Sequence, residues 1–492
     1  MQVTPSLDEF LDLACSYAVI PVTMTQLADR ETPVSAFEKL VGDASGFLLE
    51  SVEGGERWAQ WSFLGWDPVF TLTSRNGTCH AAGIDIDLPD GDPLTVLESL
   101  LERFVSPDLA GLPPLHSGAV GYLSYDVVRY VEHLPHRPND DRDLPEMVWQ
   151  FVGSLAAVDR FSQTVTLVRN VFVELVDDLE AAYAQAVDSL QESSRRLGSA
   201  SEYQPTASPA RHVADPPHLA STMDQATFED GVLRVKEYIR QGDAYQVVLS
   251  QRLEAPFVGD AFSVYRALRL INPSPFLFFV RHEEVTVVGS SPELMTRVRD
   301  GVVYSRPIAG TRPRGASEDE DRANEEELLA DPKERAEHVM LIDLARNDLG
   351  RVCEFGSVKV DDLMVIERYS HVMHIVSGVS GKLRSGQGPM DVIRAVFPHG
   401  TVSGAPKVRA MEIVDELEPV ARGPYAGAAG YVDFSGNVDT AICLRTIVIA
   451  NGTAWVQAGA GLVFDSDPAA EYKETMDKAA AALAAIHGAP GV

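Results

Sequence analysis

The stretch FLFFVRHEEVTVVGSSPELMTRVRDGVVYSRPIAGT (276–311) turns the chain back on itself. Phe276 to Val280 and Val285 to Val288 are short runs of β-branched and aromatic residues, separated by the polar Arg281-His282-Glu283-Glu284. Two such runs with a polar break predict a hairpin, the unit from which antiparallel sheets are built. Gly289-Ser290-Ser291-Pro292-Glu293 follows directly. From Val302 the chain reads as a strand leading into a turn at Gly310-Thr311.

Upstream of this stretch, Thr227 is the expected cap of a helix. Phe228, Val232, Val235 and Ile239 fall on one stripe of it, and Gly242 is the stop signal. A strand is expected over 244–252, with Gln246 inside it; a buried amide there needs partners. Downstream, a helix is expected from Pro332 to about Leu349. A second Gly-Thr turn is expected over 397–401, before VSGAPK (402–407) and another helix. Residues 438–449 read as one strand carrying a single strong cation, Arg445, and 455–458 as a strand entering Gly459-Ala460-Gly461. Nearer the N-terminus, 46–52 and 163–175 read as strands, and 93–104 and 177–196 as helices. The Ser-, Pro- and Ala-rich run 192–222 reads as a linker or surface loop. It divides the chain into 1–200, a linker over 201–222, and 223–492.

Composition sets the outer bounds. The chain has 492 residues, enough for two or three ordinary domains or one large one. Its 41 basic and 72 acidic residues give a formal net charge of −31. That excess argues against nucleic acid and anionic membrane as partners, which need basic patches. An anionic ligand must then be met by a few placed cations or a metal. Cys15, Cys79, Cys353 and Cys443 are far apart, which fits reduced thiols in a cytoplasmic protein. The N-terminus carries Asp8, Glu9 and Asp12 with no basic region, so no signal peptide is expected. No apolar run reaches the length of a membrane span.

Two segments share one grammar. Asp331-Pro332 precedes Glu334 and Glu337, and Asp467-Pro468 precedes Glu471 and Glu474. Asp before Pro reads as an N-cap and first helical residue, and glutamates spaced i, i+3 share a helix face. Two such helices face to face make a four-carboxylate pocket suited to Mg²⁺. Taken singly, early-turn glutamates need no more than the helix dipole to explain them. Gly459-Ala460-Gly461 lacks a third glycine, since Phe464 stands there, so a dinucleotide loop is not expected. Asn76-Gly77 and Asn451-Gly452 read as hairpin turns. His371 and His374 have no third nitrogen or sulfur ligand nearby in sequence for zinc.

Read together, these segments resemble the chorismate-utilising enzymes. The resemblance runs over roughly 225–487. It rests on Gln246-Val247-Val248, Ser291-Pro292-Glu293, Pro307 to Thr311, Glu337-His338, Asp343 to Asp348, His374, Gly400-Thr401 with Gly404 to Lys407, Arg445, Gly459 to Gly461, and Glu471 with Glu474. It implies an α/β fold of α+β type, with large stacked antiparallel-rich sheets, outer helices and the active site between the sheets. It makes 223–492 a chorismate-binding catalytic region. Members that add water carry a lysine base where this chain has Gln246, and an amide cannot deprotonate water. Common aminodeoxychorismate synthases carry a nucleophilic lysine where this chain has Ala309. Gln246 with Ala309 is the pattern of anthranilate synthase component I.

That resemblance implies chorismate and ammonia as substrates and Mg²⁺ as cofactor, with Glu337 and Glu474 as ligands and Glu334 and Glu471 close by. Gln246, Glu293, Thr311 and His374 become the catalytic residues, with Glu293 protonating the departing hydroxyl. Gly310, Thr311, Thr401, Tyr425, Arg445, Gly459, Gly461 and Lys478 become the substrate-binding residues. The N-terminal region becomes regulatory. Leu48-Leu49-Glu50-Ser51 and Asn272-Pro273-Ser274-Pro275-Phe276, with Tyr431, resemble a pocket for tryptophan as inhibitor. Nothing in the chain resembles a glutaminase, so a separate glutamine amidotransferase subunit (component II) in a hetero-oligomer is implied. The alternatives are an aminodeoxyisochorismate or aminodeoxychorismate synthase, and a tryptophan-binding regulator without activity.

Overall fold

A computed structural model describes residues 2–51, 60–200, 219–369 and 372–488. Among these residues, twelve α-helices surround two large sheets. The 276–311 stretch forms the expected hairpin: Phe276–Arg281 pairs antiparallel with Thr286–Ser291. This hairpin lies in the middle of a 13-stranded sheet, with Gly46–Glu50 on one side and Thr446–Ala450 on the other. The second sheet has 11 strands and includes Leu294–Arg299, Val438–Ile442, Ala428–Val432, Ala119–Leu123 and Met147–Phe151. Both sheets therefore draw strands from the N-terminal and the C-terminal parts of the chain. Of the expected linker, residues 201–218 lie outside the described residues. Ala220–Ser221 pairs with Leu253 and Glu254 at the edge of the first sheet.

The sheets stack face to face. Phe278, Val287 and Val448 of the first meet Tyr122, Val148, Ala429 and Ala441 of the second in one buried cluster. Phe47, Phe63, Val120 and Tyr431 fill a second inter-sheet cluster. Helices cover the outer faces: Phe10, Phe37, Leu190, Leu268 and Ala482 pack on the first sheet, and Leu97, Leu349 and Val392 on the second. Alternation along each strand sends one set of side chains inward and the other toward a helix. Strands buried on both faces, such as Ala119–Leu123, are apolar throughout for this reason.

Local chemistry explains the element ends. The Asp331 side chain accepts from the amides of Lys333 and Glu334 and starts the helix Pro332–Val352. Asp467 accepts from the Ala470 amide at the start of Pro468–Gly488. The helix Gln225–Gln241 is capped by Asp224, whose carboxylate accepts from the Thr227 amide, so Thr227 is a donor inside the cap and not the cap expected. Gly242 ends that helix with a left-handed φ of 88°, as its lack of a side chain allows. Asn76-Gly77 and Asn451-Gly452, all at positive φ, close hairpins.

Three further expectations need correction. Residues 438–449 are two strands, Val438–Ile442 in one sheet and Thr446–Ala450 in the other. The chain crosses between sheets at Arg445, whose φ is 49°. Gly310-Thr311 is a bulge inside the strand Ile308–Pro313 and not a turn, with Gly310 at φ 66° and the register shifted between Ala309 and Thr311. Gly400-Thr401 opens a one-turn helix, Gly400–Ser403.

A buried ion pair ties this end of the sandwich together. Arg422 donates to Glu418 from Nε (2.8 Å) and Nη2 (2.7 Å), and to the carbonyls of Val402 and Val248 (2.7 Å each). Burial alone would lower its pKa; the Glu418 carboxylate outweighs that and raises it. Glu418 also accepts from the amide and hydroxyl of Ser250, at 2.8 Å each. Removing one partner of such a pair strands a buried charge. Glu418→Ala is expected to cost about 3–5 kcal/mol in urea unfolding. A loss below about 1 kcal/mol would show that the pair carries little of the fold.

Candidate active site

The site residues gather between the sheets, at the end where Arg445 crosses. Gln246 and the Gly459–Gly461 segment sit on the paired strands Gln246–Pro256 and Thr453–Leu462. Thr311 and His374 face each other across a ladder of the second sheet. Glu293 lies just after Thr286–Ser291, and Thr401 in its one-turn helix.

Glycines set the close approaches. A Cβ on Gly461 would lie 2.8 Å from Nε2 of Gln246. A Cβ on Gly459 would lie 2.7 Å from the Tyr425 hydroxyl and 3.0 Å from the Leu249 carbonyl. Tyr425 is buried, and its ring lies 5.6 Å from the Arg422 guanidinium. Lys478 donates to the Gly459 carbonyl (3.0 Å) and pairs with Glu474 (2.7 Å).

Glu334 and Glu471 lie on the first turns of their two helices, and Glu337 and Glu474 one turn further on. Gln246 donates to Glu337 at 3.0 Å. The Glu337 pKa is raised by burial, against the Gln246 hydrogen bond, and pushed further by the charges of Glu334 and Glu474. Glu471 is raised by burial and by Glu474. Glu337 thus feels the charge of Glu334 and Glu474, and Glu471 that of Glu474; carboxylates are the oxygen-donor type a hard divalent cation takes. Among the described residues, no three acidic, His or Cys side chains converge at ligating distance. Arg312 holds Glu334 at 3.4 Å and Lys478 holds Glu474.

The two proton-handling candidates have opposite environments. Glu293 is buried, and burial pushes its pKa up to about 8 against the Thr401 hydroxyl and Lys478, so it is largely protonated at neutral pH. Its Oε1 has no hydrogen-bond partner. His374 places Nδ1 2.9 Å from the Gly310 carbonyl and 3.1 Å from the Thr311 hydroxyl. A carbonyl only accepts, so Nδ1 carries the proton and Nε2 presents a lone pair. Burial and the Arg445 charge lower its pKa, against the Gly310 carbonyl, and favour this neutral form. Arg445 donates from Nη1 to the Asn272 side chain at 3.3 Å. His371 lies outside the described residues.

A second cavity opens between the sheets. Leu49, Glu50, Ser51, Phe276 and Tyr431 line it, together with Pro275, Trp61, Arg297 and Asp439. Asn272, Pro273 and Ser274 do not line it. Asn272 bonds Arg445 through its side chain and accepts from the Ser290 hydroxyl at its carbonyl. Glu50 is held by Tyr265 and by Arg269, the latter at 3.0 Å. Sequence reasoning missed Arg422, Glu418 and His399. Their only signal is charge or imidazole within an apolar neighbourhood.

Residues 46–484 match the family described as chorismate binding enzyme. The chain is 45% identical over 496 residues to anthranilate synthase component 1 of Acetivibrio thermocellus, covering 99% of each. It is 46% identical to that of Mycolicibacterium smegmatis, covering 99% of this chain and 94% of the relative. The crystal structure of anthranilate synthase component I from Streptococcus pneumoniae superposes with a TM-score of 0.78 at 34% identity, covering 93% of this chain and 99% of that one.

The glycine contacts make a direct prediction. Gly459→Ala displaces the Tyr425 hydroxyl and meets a backbone carbonyl that cannot swing away. Chorismate affinity, measured by titration calorimetry, is expected to fall about tenfold or more, equivalent to roughly 1.4 kcal/mol. Unchanged affinity would remove Gly459 and Tyr425 from the binding surface.

Proposed function

The chain belongs to the chorismate-binding enzyme family, and on that premise we propose that it is an anthranilate synthase component I. It converts chorismate and ammonia to anthranilate, pyruvate and water. The observation that carries the reading is Gln246, an amide hydrogen-bonded to Glu337 where a water-adding enzyme needs a base. The nucleophile must arrive competent, as ammonia does. Ala309 offers no side chain for covalent attack.

The residues divide the work. Arg445 forks onto the enolpyruvyl carboxylate, with Tyr425 and the glycine strand closing against it. Glu293, protonated at neutral pH, gives its proton to the leaving ring hydroxyl as ammonia adds. His374 then takes the ring proton on Nε2 as the ring C–O bond breaks, and the imidazolium so formed returns a proton to the methylene carbon of the departing enolpyruvyl group, which becomes pyruvate. That free lone pair favours completion of the elimination over a synthase that stops before pyruvate loss. Glu337 and Glu474, with Glu334 and Glu471 beside them, would hold Mg²⁺, which when bound supplies Lewis-acid polarisation at the ring carboxylate.

Ammonia comes from a separate glutaminase subunit in a hetero-oligomer. Burial raises the thiols of Cys79 and Cys353 to about 11 and that of Cys443 further, the reverse of what a glutaminase nucleophile needs. Among the described residues no helix is long and apolar enough to cross a membrane, in keeping with work in the cytoplasm. The purified chain is expected to form anthranilate and pyruvate from chorismate, Mg²⁺ and ammonium, followed by anthranilate fluorescence. Turnover that survives EDTA, or that runs on glutamine alone, would sink the proposal.

Tryptophan inhibits from the inter-sheet pocket, its indole against Phe276, Trp61 and Tyr431. Inhibition from there requires tighter binding to the inactive arrangement. Ser51→Phe narrows the pocket, so tryptophan titration is expected to leave its turnover untouched at concentrations that silence the wild type. If the variant is inactive with or without tryptophan and melts early, Ser51 is part of the fold and not of the pocket.

A further inference from the structure

Glu337 and Glu474 are each followed by a buried polar residue whose partner lies on a strand. After Glu337 comes His338, whose Nε2 lies 2.7 Å from the Ser377 hydroxyl. After Glu474 comes Thr475, whose hydroxyl oxygen accepts from Nε2 of Gln251 at 2.6 Å. All four of these side chains are buried. The two partners belong to different sheets. Ser377 sits on Val372–Lys382 of the 11-stranded sheet, and Gln251 on Gln246–Pro256 of the 13-stranded sheet. We propose that His338 and Thr475 are positioning residues for the cation: each locks its helix to one sheet, so that the gap between Glu337 and Glu474 follows from how the two sheets stack.

Apolar packing fixes the helix Pro468–Gly488 only loosely. It buries Ala479, Ala482, Ala484 and Ala485 against its sheet. Such small side chains form shallow ridges, which resist rotation and sliding weakly. A directional hydrogen bond to a strand resists both. The groups around Thr475 are committed: its hydroxyl donates to the Tyr472 carbonyl at 2.7 Å, and Oε1 of Gln251 accepts from the Ser221 hydroxyl at 3.0 Å. Gln251 therefore turns its amide nitrogen, and not its oxygen, toward Thr475. At the other anchor, the Ser377 hydroxyl oxygen also accepts from the Met364 amide at 2.9 Å. The same two strands carry the reacting groups. Gln246 shares the strand of Gln251 and donates to Glu337 at 3.0 Å, and His374 shares the strand of Ser377. Each anchor thus ties a carboxylate to the frame that holds the chemistry, with Glu337 and Glu474 near enough for their charges to oppose each other. Mg²⁺ takes oxygens at about 2.0–2.1 Å in near-octahedral geometry, so a helix that turns a little loses its ligand.

The proposal rests on reading Glu337 and Glu474 as cation ligands, and the test separates the two. Mn²⁺, which takes the same oxygen donors, is titrated into the full chain without substrate. Binding is read by electron paramagnetic resonance, with the melting temperature measured alongside. Thr475→Val keeps the side-chain shape and removes the hydroxyl, and is expected to weaken Mn²⁺ about tenfold, as loss of support behind a ligand does. Thr475→Ser, which keeps the hydroxyl, is expected to restore it. Ser377→Ala is expected to weaken Mn²⁺ to a similar degree. His338→Gln, whose amide reaches the place of Nε2, is expected to bind nearly as the wild type does. Should Thr475→Val fail to fold, Gln251→Leu removes the same bond from the strand side. Unchanged Mn²⁺ affinity in Thr475→Val or Ser377→Ala, whatever the melting temperature, overturns the proposal. So does a Thr475→Ser chain as weak as Thr475→Val. If Glu337→Gln and Glu474→Gln also bind Mn²⁺ as the wild type does, the ligand reading falls with it; if those two lose Mn²⁺ while the anchor variants keep it, only the proposal falls.

Discussion

The Arg422–Glu418 pair ties together the elements that carry Thr401, Gln246 and Tyr425. Arg422 binds the carbonyl next to Thr401 and one on the Gln246 strand, and it lies over the ring of Tyr425. Glu418 fixes Ser250 on that strand. Two opposite charges out of water cost several kcal/mol each in desolvation. Here the cost is offset because both Glu418 oxygens and the Arg422 donors meet partners at hydrogen-bond distance. A salt bridge on the surface could not do this, since water would compete for each donor.

The same burial gives the site's carboxylates different characters. Glu293 stands apart from other acids, and burial outweighs the Thr401 hydroxyl and Lys478 and favours the proton. Glu337 meets Glu334 and Glu474 as well as an amide donor, so its charge is opposed by neighbours and supported by Gln246. In a chain of formal charge −31, the cations that act on the two proton-handling groups are Lys478 on Glu293 and Arg445 on His374.

Much of this was legible in the sequence because it is local. The Asp-Pro caps, the i, i+3 glutamates, the 276–291 hairpin and the Asn-Gly turns each depend on a few adjacent residues. What could not be read depends on tertiary placement. Residues 438–449 are apolar on both sides of Arg445, so no local pattern marks where the chain leaves one sheet for the other. Gly310-Thr311 looks like a turn until the strand Val372–Lys382 pairs across it and makes it a bulge. Asp224 competes with Thr227 for the cap, and only the geometry decides. Arg422, Glu418 and His399 carry no motif that a reader of local pattern would stop at.

The strand order has a consequence for biogenesis. Gly46–Glu50 is flanked by Trp61–Trp66 and by Phe276–Arg281, which leaves the ribosome much later. Ala119–Leu123 likewise waits for Ala428–Val432. During synthesis each N-terminal strand exposes an unpaired apolar edge, the arrangement most prone to pairing with another nascent chain. Neither sheet closes until the final strands emerge, so the N-terminal half cannot mature first. A cell making this protein must shield those edges through most of its translation.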